Sequence, residues 1–249
     1  MLLGVTSVTL PDLSVENILE LAEKNSLTVI EWDEAHIKRG DAPGAEAVYE
    51  KTAAKGIQIA AYHSVFDVQK ASEWTFSQVL EVAEALHTDA VVLSLGTKGN
   101  GTEDLLMSLA EKVQSLADLA AARNITVCFA YHRDTLLEDY IKTGRFLETV
   151  NRKNVRLIWQ PNRTSSLIYN IFDLKMLAPY VHHVYVSYKE SSEGCSTIME
   201  GKDEWQQYLK VLKGQASGTL LFKDCDIAEF DSECALMREW MSDIFTSGC

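Results

Sequence analysis

The sequence is short of positive charge, of proline and of long apolar runs, and it has none of the glycine signatures of nucleotide-binding folds. Its 23 Lys and Arg face 36 Asp and Glu, a formal net charge of −13. Non-specific nucleic-acid binding depends on cations that neutralise phosphates, so the balance argues against a nucleic-acid partner. No apolar run approaches the roughly 18–20 residues of a membrane span, which argues against membrane insertion. The opening segment MLLGVTSVTLPD lacks the basic stretch of a secretory signal and its apolar part is too short, so a cytoplasmic location is expected. The five cysteines (Cys128, Cys195, Cys225, Cys234 and Cys249) are odd in number and form no C-x-x-C pair, a pattern of reduced thiols rather than of a disulfide framework or zinc knuckle. Only four prolines occur, at 11, 43, 161 and 179, all at element boundaries, and no Gly/Ser/Pro-rich linker divides the chain.

An alternation of two patterns is what the chain does have. Short β-branched runs occur near residues 2–8, 28–32, 57–62, 89–95, 125–131, 155–159, 183–188 and 218–222. Amphipathic stretches of helical period lie between them, at 14–25, 44–55, 72–87, 102–123, 138–151, 172–179 and 202–213, with a last one over 227–246. Near-continuous apolar strands separated by helices indicate a parallel sheet buried on both faces. Eight such units in 249 residues predict an α/β fold, a single (β/α)8 TIM barrel over 1–249. The competing open doubly wound sheet carries G-x-G-x-x-G after its first strand, which is missing here, and LGTKGNG lacks the Lys-Ser/Thr of a P-loop. Ser14 and Ser72 are expected to cap helix starts, and Asn25, Gly56, Asn124 and Asn154 to end helices.

Active sites of this barrel lie at the C-terminal ends of the strands. His87, His182 and His183 fall at the opposite end, whereas His36, His63 and His132 follow or end strands. Glu31, Gln160, Asn162, Tyr185, Arg133, Lys189 and Lys223 also sit at strand ends. Side chains alternate along a strand, so half of such residues face the mouth and half pack under helices. Trp32, Trp159, Tyr62 and Tyr131 are expected to fill the core, with stacking on a sugar ring as the alternative. Lys38, Arg39, Lys98, Arg133, Arg163, Lys189 and Lys223 place cations at the mouth, which suits an anionic sugar, phosphate or acid.

Several segments then fall into an order seen elsewhere: Glu31-Trp32 with Glu34-Ala35-His36 and Gly40-Asp41, Tyr131-His132-Arg133-Asp134-Thr135-Leu136, Trp159-Gln160-Pro161-Asn162, and Glu200-Gly201-Lys202-Asp203-Glu204-Trp205. In these the chain resembles the xylose isomerase-like TIM barrels, the superfamily of sugar phosphate isomerases/epimerases and endonuclease IV. The resemblance implies one divalent metal held by carboxylates and a His at the ends of strands five to eight. Here those positions fall on Ala130, Gln160, Tyr185 and Phe222, so no metal or other cofactor is expected. The resemblance further implies isomerisation or epimerisation of a small carbohydrate, polyol or sugar phosphate. Glu31 and His132 are then the expected acid/base pair. His36, His63, Arg133, Gln160, Asn162, Tyr185, Lys189 and Lys223 are the expected substrate contacts, with Lys189 or Lys223 replacing the metal's charge. The alternative is a degenerate barrel that binds a carbohydrate-like ligand or a protein without turnover. A nuclease of the endonuclease IV kind needs a three-zinc cluster and a basic surface, and neither is visible.

Overall fold

Each β-branched run becomes a strand whose residues alternate between the barrel interior and the layer beneath the helices. A computed structural model describes residues 1–70, 72–96, 102–133, 135–188, 190–191, 194–195, 197–214 and 218–246. The strands are β1 (Leu2–Thr6), β2 (Val29–Asp33), β3 (Gln58–Asp67), β4 (Ala90–Ser94), β5 (Thr126–Tyr131), β6 (Val155–Trp159) and β7 (Val181–Val186). A short antiparallel pair, β8 (Glu190–Ser191) and β9 (Gly194–Cys195), follows, and β10 (Thr219–Phe222) completes the barrel. The parallel strands close in the order β1-β10-β7-β6-β5-β4-β3-β2.

The helices α1 (Val15–Lys24), α2 (Ala42–Ala54), α3 (Glu73–Ala85), α4 (Thr102–Ser108), α5 (Ala110–Ala121), α6 (Tyr140–Val150), α7 (Leu167–Leu177), α8 (Lys202–Lys213) and α9 (Phe230–Thr246) connect the strands. Ser14 Oγ accepts from Asn17 N and Ser72 Oγ from Thr75 N, so both expected caps form. Two helix ends differ from expectation. The left-handed residue after α1 is Ser26 (φ 50°) rather than Asn25, and the one after α6 is Asn151 (φ 45°) rather than Asn154. Asn25 instead donates through its side chain to Leu21 O and Asp231, and Asn154 to Ala117 O and Ile125 O, tying adjacent elements together. The stretch 102–123 is two helices, with Leu109 between them, and α7 begins at Leu167 because Ser166 caps it.

Val29, Ala60, Ala61, Ala90, Val92, Cys128, Ile158, Tyr185 and Leu221 fill the inside of the barrel. Gly4 keeps that interior narrow: a Cβ there would stand 1.9 Å from Val29 O. A larger apolar layer lies outside the strands and includes Trp32, Trp159, Trp205 and Trp240, all fully buried. Each such Trp removes roughly 150–250 Å² from water, worth about 4–6 kcal/mol before conformational entropy is subtracted. Tyr62 and Tyr131 share this outer layer, donating to Ile37 O and to Asp173 respectively. Cys128, Cys225 and Cys234 are free thiols.

Candidate active site

Glu31 is the polar centre of the barrel. It is fully buried on β2, opposite Thr6 of β1. Its Oε1 accepts from Thr6 Oγ1 (2.6 Å) and from the Tyr185 hydroxyl (2.8 Å), and lies 3.2 Å from His63 Nδ1. Burial alone would raise this carboxyl. The hydrogen bonds from His63 and Thr6 and the charges of His63 and His183 outweigh it, holding Glu31 below the usual carboxylate range. An ionised carboxylate only accepts, so His63 Nδ1 carries the hydrogen and Nε2 is the basic nitrogen of the neutral ring. Glu31 Oε2 is buried without a partner among the described residues.

Above Glu31 the C-terminal ends of β3, β4, β5 and β10 enclose a cavity of about 260 Å³, bordered by His63, Ser94, Ala130, His132 and Lys223. A second cavity of about 380 Å³ adjoins it, bordered by His132, Arg133, Gln160, Asn162, Arg163 and Lys223. His132 and Lys223 belong to both. The Lys223 ammonium stands 4.5 Å from the centroid of the Tyr185 ring. Burial lowers the Lys223 pKa, Asp224 and Glu31 oppose the fall, and Arg163 adds to it. His132 Nδ1 lies 2.7 Å from Arg133 O, a pure acceptor, which again assigns the hydrogen to Nδ1. On the far wall Gln160 Nε2 donates to Ser187 Oγ (3.0 Å). Arg163 is paired with Asp224 at 2.5 Å.

The structure brings His63, His132, Arg133, Gln160, Asn162 and Lys223 to the cavities. Others it moves elsewhere. The catalytic candidate Glu31 lies beneath the first cavity and meets it through His63, because its position on β2 faces the closed barrel interior. Tyr185 is buried beside it for the same reason. His36 is turned away: its Nδ1 lies 2.6 Å from Asp33 Oδ1 and its Nε2 3.1 Å from Leu13 O. Phe222, taken as a metal-ligand position, points outward onto Phe230 (ring centroids 5.4 Å apart), and the inward residue at that strand end is Lys223. Lys189 lies outside the described residues. Two further residues belong to the site. Ser94 ends β4 with inward parity, and Thr6 is the register partner of Glu31 on β1; alternation along each strand was the available signal.

The backbone can be compared with solved structures. It superposes with a TM-score of 0.80 on the probable 3-DHS dehydratase AsbF of Bacillus anthracis, at 14% identity over 96% of this chain and 99% of that one. A D-tagatose 3-epimerase-like protein gives 0.80 at 14% identity over the full length of both chains. D-psicose 3-epimerase, crystallised with D-fructose, gives 0.75 at 13% identity over 98% and 99%. The chain has the xylose isomerase-like TIM-barrel fold. No protein-family model and no curated protein matches the sequence.

The resemblance in the sequence implies a divalent metal at the mouth, and the described residues at those positions do not fit one. Ala130 offers no donor, Gln160 only a neutral amide already bonded to Ser187, and Tyr185 a phenol whose burial raises its pKa well above the ordinary value. Lys223 brings a cation where a metal would need carboxylates. Among the described residues no group of three or more His, Cys, Asp or Glu side chains could hold a metal ion.

Proposed function

We propose that the mouth catalyses proton transfer at a carbon beside a carbonyl group, as in isomerisation or epimerisation of a small carbohydrate or sugar phosphate, without a divalent metal. The observation that carries this is the position of Lys223 on the border shared by both cavities, with His63 and His132 also on the cavity walls. A carbonyl oxygen seated at Lys223 meets a positive charge, which stabilises an enediolate as it forms. His63 and His132 stand on the cavity wall as the groups that take the proton and return it. Glu31 is a positioning residue: it holds His63 in one tautomer and balances the imidazolium that forms. Arg133 and Arg163 on the second cavity suit a phosphate or carboxylate at the far end of the substrate. A sugar is supported by the solved neighbour D-psicose 3-epimerase, which was crystallised with D-fructose.

The test is a product assay by NMR with D-fructose and with dihydroxyacetone phosphate. The proposal expects slow appearance of the epimer or isomer, lost in His63→Asn and in Lys223→Met. Equal rates in the wild type and both variants would overturn it.

A further inference from the structure

Lys223 is a lysine at the end of a barrel strand whose ammonium has no hydrogen bond or ion pair among the described residues, only the face of Tyr185. It borders both cavities, so a ligand lying across the mouth passes its nitrogen. The titratable or charged groups that face it are Tyr185 from β7, Glu31 from β2, the adjacent Asp224, and Arg163 from the loop after β6. A carboxylate held against a lysine ammonium keeps it protonated and blunts it as a nucleophile. Lys223 is held on an aromatic face instead, in a partly buried place that favours the neutral, nucleophilic amine.

We infer that Lys223 acts covalently, forming an imine with the carbonyl carbon of an open-chain hydroxyketone. This rests on the reading of the mouth as a carbonyl site, and it replaces the standing ammonium charge of that reading with the iminium charge that forms on Lys223 during turnover. The Lys223 Nζ lone pair attacks the carbonyl carbon, and the carbonyl π pair moves to oxygen, which takes a proton. Nitrogen loses its proton, and the resulting carbinolamine hydroxyl leaves as water with a proton supplied by His132 or His63. The iminium nitrogen then carries the positive charge beside the carbon that loses its proton. The C–H electron pair enters the new C=C bond of an enaminol, the proton passes to imidazole, and reprotonation followed by hydrolysis returns the amine. No oxidant or reductant is consumed.

The experiment uses dihydroxyacetone and dihydroxyacetone phosphate as probes with sodium cyanoborohydride, which reduces an imine to a stable secondary amine located by peptide mapping. Thermal shifts with the same probes are measured without reductant. Labelling is expected at Lys223 at least about tenfold faster than at Lys70, a lysine whose side chain is 83% exposed. It should vanish in Lys223→Arg, which keeps the charge and cannot form the imine. Faster labelling with the phosphate would assign an anion subsite to the second cavity and support the inference as well. Labelling of Lys223 no faster than of Lys70 overturns the covalent role. If the probes still raise the melting temperature, the carbonyl site survives without the imine; if they do not, that reading falls too.

Discussion

Glu31 Oε1 lies 3.2 Å from His63 Nδ1, and that contact decides which nitrogen of the imidazole is basic. A buried carboxylate beneath an imidazole at a cavity wall orients the ring and stabilises its charged form. Glu31→Gln keeps the shape and loses the charge, so kcat is expected to fall about 10²-fold with little change in KM. Kinetics with the substrate found by NMR check this, and a change confined to KM would count against it.

The same carboxylate sets part of the acid stability. Its folded pKa lies below the ordinary value of 4.5, so its stabilisation is present above that value and lost as pH falls through the folded one. Urea midpoints of the wild type should drop steeply below about pH 4, and those of Glu31→Gln less steeply.

Asp173 works in the opposite direction. Burial raises it to about 6, helped by Asp139 and opposed by the hydrogen bond from Tyr131. The folded state therefore holds this proton more tightly than the unfolded chain, and stability is lost as pH rises from about 4 through 6. Asp173→Asn can still accept from Tyr131 without burying a charge. It should be more stable than the wild type by about 1–3 kcal/mol at pH 8 and nearly equal to it at pH 4.

The two neighbours at the end of β10 separate packing from chemistry. Phe222→Ala opens the apolar layer against Phe230 and should cost about 3–5 kcal/mol. Lys223→Met removes a charge that burial disfavours, so it should leave the melting temperature unchanged or raised while turnover is lost.

His36 ties the loop after β2 to the Leu13 carbonyl through its bond to Asp33. Hydrogen bonding and charge from Asp33 raise its pKa above 6.5 despite burial. The pair therefore stabilises the fold fully below pH 6.5 and loses that contribution as pH rises through the folded value. His36→Ala should cost about 1–2 kcal/mol at pH 6 and less at pH 9, with unchanged KM at matched stability.

The alternation of β-branched runs with amphipathic stretches made the eight barrel strands legible, because a parallel sheet covered on both faces requires it. The same property hid the parity of the last strand. In Thr219-Leu220-Leu221-Phe222 both faces are apolar, so nothing in the residue types showed that Phe222 points outward and Lys223 inward. The site was legible as a set of strand-end residues. The pairing inside it was not, because the bond between Glu31 and His63 depends on a register shift between Ile30 and Glu31 where β2 meets β3. The early start of α7 was hidden too, since Leu167, Ile168, Tyr169, Ile171 and Phe172 leave its first turns apolar on several sides, with Ile168 and Phe172 exposed.

Exchange of carbon-bound hydrogen with solvent tests most directly the claim that this mouth moves a proton beside a carbonyl with Lys223 in place of a metal. The protein is incubated in D₂O with dihydroxyacetone phosphate or D-fructose and excess chelator, and loss of the C–H signal is followed by ¹H NMR. Exchange that persists in chelator and disappears in Lys223→Met is the predicted result. No exchange by the wild type, or exchange that chelator abolishes and a divalent cation restores, would contradict it.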